Sequence, residues 1–396
     1  MINTQIEKLK SEVRAELINN ILPFWSTKMV DTENGGFYGQ MNGHNKLIPK
    51  ADKGGILNAR ILWTFSSAYL QEKNPLYLEM ANRAKAYILD HFMDQEQGGT
   101  YWTISFDGKP TDTKKQIYSQ AFFIYAFSEH YRASRDESSL QTAIELFRMI
   151  ELRSFDHELN GYFEAYSRDW ILLEDLRLSD RDANEKKTNN THLHILEAYT
   201  NLYRIWKNDE LARQLRNLIL IFTGKIVNPK TKHLDLFFDE NWNSKTELVS
   251  YGHDIEASWL IDEAARMLGD QKLLVEVQKT CIQIAEAACE GLQPDGSLVY
   301  EKTLRHLDND RHWWVQAESV VGFLNAYELT NDQQWLKKSL NSWKYIQYNL
   351  IDTRDGEWFW SMSDQGTVNR TDDKAGFWKC PYHNSRMCLE IMLRGE

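Results

Sequence analysis

Three histidines stand at the starts of helical stretches: His194 in "THLHILEAY", His253 in "GHDIEASWL" and His383 in "YHNSRMCLEIML". Imidazole titrates closest to neutral pH, so histidines gathered at one place suit general acid–base work. In "HDIE", His253 and Glu256 are three residues apart and share a helix face. A carboxylate placed there can orient the ring and tune its basicity. In "THLH", His192 and His194 lie on different faces, and Glu197 and Ala198 keep His194 near the polar one, so His194 is the expected site residue. Three imidazoles from three helices are also a conceivable zinc set. None forms the close pair of a local motif such as HExxH, so acid–base chemistry without a metal is the expectation.

The elements that must position these residues recur. "DTENGGFYGQM" returns as "DQEQGGTYWTI" and "DHELNGYFEAY", then in weaker copies, each a polar turn with aromatics after it. Anchored at Gly36, Gly99, Gly161, His233, Gly296 and Gly356, the copies stand about 60 to 72 residues apart, the signature of a repeat architecture. Between them lie helices in pairs. Amphipathic members such as "IEKLKSEVRAELINNILPFW" alternate with more apolar ones such as "GGILNARILWTFSSAYL". Concentric rings explain the alternation. An open solenoid would need polar end caps, and the first and last pairs resemble the others. The expected fold is all-α: one (α/α)6 barrel over residues 1–396, six helical hairpins in two rings, with short hairpin-like turns at one end.

In such a barrel the inner helices run parallel and their starts converge on one pocket. The residues there are Asn58 and Arg60; Tyr118 and Gln120; Asn190, His192 and His194; His253, Asp254 and Glu256; Arg311, His312, Trp313, Trp314, Gln316 and Glu318; Trp378, Tyr382, His383, Asn384 and Arg386. Helix N-termini also favour developing negative charge.

Bulk composition narrows the ligand. A net charge of -11 argues against a nucleic-acid partner. Fourteen Trp, 18 Tyr and 17 Phe fill a core and also suit a pocket that stacks on the C–H face of a sugar. Four cysteines without a CxxC pair, no apolar leader and no membrane-length apolar run lead to the expectation of a reduced, cytoplasmic protein that binds no membrane. No long exposed apolar stripe is evident, so a monomer is expected.

The stretches "GGILNARILWTFSSAY", "NTHLHILEAYTNLYR", "GHDIEASWL", "DRHWWVQAE" and "FWKCPYHNSR" closely resemble those of the cellobiose 2-epimerases, a branch of the N-acylglucosamine 2-epimerase superfamily. The resemblance spans nearly the whole chain. It implies the same (α/α)6 barrel, a disaccharide substrate, and cofactor-free inversion at C2 of the reducing-end sugar through a cis-enediolate. It further implies that His253 and His383 are the acid–base pair and that His194 assists ring opening. Arg60 would support the enediolate oxygens, and Glu256 would partner His253. Trp314 and Trp378 would hold the sugar, with Tyr118 and Asn190 as polar contacts. Cys380 stands where many members have Gly.

Other readings stay open at this point. A mannose 2-epimerase or aldose–ketose isomerase would share the histidines and differ at the pocket mouth. An inverting glycoside hydrolase would need two opposed carboxylates, for which Asp254, Glu256 and Glu318 are candidates. A non-catalytic sugar-binding protein would leave the sugar unchanged.

Overall fold

Helix starts differ systematically along the chain, and that difference builds the rings. In the computed structural model, which describes residues 2–394, helices alternate in pairs. They are α1 (Ile2–Glu16) with α2 (Gly55–Glu72), α3 (Pro75–His91) with α4 (Ile117–Ser134), and α5 (Glu137–Arg153) with α6 (Asn189–Ile205). Then follow α7 (Asp209–Ile221) with α8 (Tyr251–Leu268), α9 (Gln271–Ala288) with α10 (Trp313–Thr330), and α11 (Gln333–Asn349) with α12 (His383–Leu393). The even-numbered helices form the inner ring. Each packs on the next, and α12 packs back on α2, where Thr64 donates to the Pro381 carbonyl. The ring is closed, and its inner members are buried almost throughout their first three turns.

Every odd helix after the first begins at an Asx cap. The side chains of Asn74, Asp136, Asn208, Asp270 and Asp332 accept from backbone N–H groups of the first turn. Four inner helices end on a left-handed residue just before that cap, at Lys73, Arg135, Gly269 and Asn331. The reversal from inner to outer ring therefore takes two residues.

Inner helices start differently. Two extended residues precede each of α2, α4, α6, α8 and α10, and they pair with a strand that follows the next turn phrase, as Lys53–Gly54 with Thr103–Ile104. The missing sixth pairing closes the circle, because Met41 after the first turn bridges to Ala375. Each turn phrase is itself a local hairpin sealed by one bridge, from Val30–Phe37 to Ile351–Trp358. The expected short hairpin-like turns are present, and the cross-repeat strands add a register the sequence did not announce. Backbone pairing also corrects two anchors. Asp352 N donates to Glu357 O, as Asp31 N does to Gly36 O, so Glu357 rather than Gly356 is the equivalent position. In the fifth repeat Ser297 replaces Gly296, through Gln293 N to Ser297 O.

Buried lysines tie the turns to the inner ring. Lys53 Nζ lies 2.8 Å from Asp31, Lys115 2.8 Å from Asp94, Lys187 2.7 Å from Asp156 and Lys374 2.7 Å from Asp352. Burial alone would raise these carboxyls; the lysine and the backbone N–H groups of the turn outweigh it and hold Asp31, Asp156 and Asp352 below the usual range. Breaking such a pair strands a charge. Lys53→Met is expected to destabilise the fold by about 3–5 kcal/mol. Adding Asp31→Leu should recover much of that loss in the same denaturant titration, because no buried charge is then left alone.

Candidate active site

Register along the inner helices sorts the residues that cluster at their starts. The fourth helical position holds Gln120, His192, Asp254 and Gln316, and Asn384 is their counterpart at α12. All five face the turns. Gln120 Oε1 accepts from Thr100 N at 2.9 Å, Asp254 Oδ1 from Leu234 N at 2.8 Å, and Gln316 Oε1 from Leu298 N at 2.8 Å. His192 sits between Thr188 O and Tyr162 N, and Asn384 donates to Glu357 at 2.8 Å. Asn58, at the same position, donates to Gly54 O. Apart from Asn58, these polar residues hold turn to helix. His192 is thereby excluded from the pocket, and His194 is the histidine of "THLH" that faces inward.

Two positions further on, the side chains meet at the barrel axis: Arg60, His194, Glu256, Glu318 and Arg386. Arg386 is their centre. Its guanidinium bonds Glu256 at 2.5 Å, Glu318 at 2.6 Å, Glu197 and the Tyr382 hydroxyl. Two of these carboxylates reach outward to imidazoles. Glu318 Oε1 is 2.7 Å from His383 Nδ1, and Glu197 Oε2 is 2.9 Å from His194 Nδ1. Trp259 Nε1 holds the other oxygen of Glu318 at 3.0 Å. Each ring is therefore fixed at Nδ1, leaving Nε2 for a substrate.

His253 departs from the expectation. Its Nδ1 lies 2.9 Å from Ser250 Oγ, while Glu256 turns away to Arg386 and comes within 3.9 Å of His383 Nδ1 instead. The carboxylate partner foreseen for His253 thus belongs to the His383 side. The i, i+3 spacing put both residues on one face, but a charged guanidinium outcompetes a neutral ring for the carboxylate.

Trp314 lies between the two imidazoles, with ring centroids 5.0 Å from His253 and 5.6 Å from His383. Across the pocket, Arg60 donates to the Tyr118 hydroxyl at 2.8 Å and is sandwiched over the rings of Phe122 and Tyr382. Tyr118 meets His194 edge-on at 4.9 Å and Trp378 at 6.2 Å. Cys380 Sγ lies 3.5 Å from Arg60 and supports the guanidinium. Asn190 stands half-buried in the first turn of α6. His194, His253, His383, Arg60, Tyr118, Trp314 and Trp378 are thereby brought together.

Charge follows geometry. Burial and then the neighbouring His194 push His253 down to about 3. Burial and then Arg386 push His383 well below the usual range, so both rings are neutral bases at rest. Arg386 overcomes burial to hold Glu197 at about 2. Burial and then the charge of Glu318 raise Glu256 to about 7. The folded value of Glu256 thus lies above the unfolded value of about 4.3. Folding then binds a proton between those two values, and stability falls as pH rises through that window. Glu256→Gln should remove this slope. The gap in melting temperature between variant and parent should shift in favour of the variant from pH 4 to pH 7.

Ligand atoms of Glu256, Glu318 and His383 lie within 4.8 Å of one another, the one such cluster among the described residues. Arg386 already bridges both carboxylates, so the cationic position is filled by the chain itself. The same bridging disfavours hydrolysis. An inverting pair stands about 6.5–9.5 Å apart with room for water between, whereas these two share one guanidinium. Asp254, the third candidate, is committed to His233 at 2.7 Å.

Ser250, the bonds that Glu197 and Tyr382 make, and the central role of Arg386 were not singled out from sequence. A signal existed: His194, Glu256 and Glu318 are spaced 62 residues apart, as are His192, Asp254 and Gln316. Aligning inner helices at that offset separates inward positions from turn-facing ones.

Comparison with known proteins identifies the family. The sequence model for N-acylglucosamine 2-epimerase matches residues 36–386. The chain is 56% identical to a cellobiose 2-epimerase of Bacteroides fragilis, covering 98% of this chain and 99% of that one. It is 42% identical to one of Ruminococcus albus, over 97% and 98%. A solved cellobiose 2-epimerase of Bacillus thermoamylovorans superposes with a TM-score of 0.94 at 42% identity, covering 98% of this chain and 100% of that one. A D-mannose isomerase structure shares the barrel at TM-score 0.84 but only 18% identity, which shows the fold alone. No helix among the described residues is long and apolar enough to cross a membrane. The chain belongs to the N-acylglucosamine 2-epimerase family and is a carbohydrate epimerase, an isomerase.

Proposed function

We propose that the chain inverts C2 of the reducing-end sugar of β-1,4-linked disaccharides, converting cellobiose to glucosyl-mannose and mannobiose to mannosyl-glucose, without a cofactor. The observation that carries this reading is the pair His253 and His383: two neutral imidazoles from different helices, facing one aromatic surface, Trp314. The high identity to cellobiose 2-epimerases supports the choice of substrate.

A C2 proton is acidic only beside an aldehyde, so the ring opens first. His194, oriented by Glu197, handles the proton at the ring oxygens. One of His253 and His383 then removes the C2 proton, and the enediolate charge falls to Arg60 and the Tyr118 hydroxyl. The other imidazole returns a proton to the opposite face. Trp314 and Trp378 hold the pyranose faces, and Asn190 supplies a polar contact. Helix starts reinforce this. Among α2, α4, α8 and α10 no side chain caps the first turn; the leading N–H of α2, α4 and α10 donates to a carbonyl of the next repeat, and the N–H groups behind it remain for negative charge.

The test is product identity. Proton NMR of cellobiose and of mannobiose incubated with the protein should show the C2 epimer as the main product. Ketose as the main product would favour an isomerase. Free monosaccharide would favour hydrolysis, and conversion of mannose alone would favour a monosaccharide epimerase. An unaltered sugar would leave a binding protein.

A further inference from the structure

The opposite end of the barrel holds a cavity of about 220 Å³ among the later turns of α2, α4, α6, α8 and α12. Trp63, Tyr125, Glu129, Glu197, Asn201 and Glu390 line it. The lining is not a bare acidic cluster. Glu129 is held by Arg132 at 2.7 Å and Asn201 at 3.0 Å, and Glu263 is held by Arg204. Trp63 stacks on Tyr125 at 5.1 Å and is only 4% exposed. Its indole N–H is buried with no hydrogen-bond partner among the described residues.

Aromatic faces beside carboxylates, guanidinium groups and an amide form the complement of a small molecule with many hydroxyls. Carboxylates accept from hydroxyls; arginines and the amide donate to them. The volume falls below the roughly 300 Å³ at which drug-sized sites begin, so it suits one small guest. It equals the share of about seven waters.

One residue belongs to both ends. Glu197 lines this cavity, and the same carboxylate holds His194 at 2.9 Å and bonds Arg386 and Tyr382. A guest that competes for Glu197 therefore reaches the histidine that handles ring opening.

We propose that this cavity is a second, non-catalytic site for one polyol or free monosaccharide, and that its occupancy is felt at His194 through Glu197. The coupling rests on the function proposed above; the binding does not. Mannitol is the probe, because it has no carbonyl and cannot be turned over. Saturation-transfer NMR should show it bound to the parent chain and to Trp314→Ala, whose change lies in the catalytic pocket. Binding should weaken about tenfold or more in Ser67→Phe, which fills the space a small guest would take. Gln71→Trp closes the cavity from its half-buried rim and decides the matter where Ser67→Phe fails to fold. During disaccharide turnover, mannitol should lower kcat and leave KM unchanged, an effect absent in the filled variants.

No transfer in the parent, or transfer lost in Trp314→Ala and kept in both filled variants, would overturn the site and leave the cavity to water. Binding with purely competitive inhibition would overturn the coupling. A chain that binds mannitol there but turns over no disaccharide would refute the proposed function and uphold the site.

Discussion

His383→Ala is expected to lower the rate of C2 inversion by roughly a thousandfold, the middle of the range for a positioned general acid–base group. The loss should be unequal between two readouts. With His253 intact, one epimer can still surrender its C2 proton to solvent and take one back on the same face. Solvent exchange at C2 should therefore persist for one epimer while inversion falls. His253→Ala should give the mirror result and keep exchange in the other epimer. A variant that loses exchange from both epimers equally would mean that one base serves both faces. Because Glu318 holds His383 at Nδ1, Glu318→Gln should reproduce part of the His383→Ala defect in kcat with little change in KM.

Arg386→Met carries the largest expected combined effect. It leaves Glu197, Glu256 and Glu318 buried together without the cation that bonds all three. Removing one partner of a buried pair costs about 3–5 kcal/mol, and the loss here leaves three carboxylates without theirs. The fold responds by protonating them, so the variant should be most stable at low pH and should melt earlier as pH rises towards 8. Activity should fall by more than about a thousandfold, because Glu197 and Glu318 no longer hold His194 and His383 in place. Arg386→Lys should restore part of the stability and little of the activity. An ammonium supplies the charge but not the planar fork that reaches two carboxylates at once.

Much of this was legible in the sequence because it repeats. The near-constant interval between turn phrases and the alternation of amphipathic with apolar helices gave the closed double ring, and parallel inner helices gave the common pocket. Arg60, Tyr118, His194, His253, Trp314, His383 and Trp378 all stand at that end. Spacing could not show which carboxylate each imidazole takes. Glu256 was matched to His253 through a shared helix face, but Arg386, which lies 130 residues away, takes it. Long-range competition of this kind leaves no mark on local pattern. The lysine–aspartate ties escaped for a similar reason: nothing local to Lys53, Lys115, Lys187 and Lys374 marks them as residues that the fold will bury. The anchors at Gly296 and Gly356 were one residue off because glycine marks a left-handed position, and these turns place it one step early.

Transfer of solvent deuterium to C2 tests the central claim most directly. Cellobiose or mannobiose in D2O, with EDTA present, should yield the C2 epimer carrying deuterium at C2, with no free monosaccharide. An epimer that forms with its original hydrogen retained at C2 would contradict two-histidine proton transfer through an enediolate.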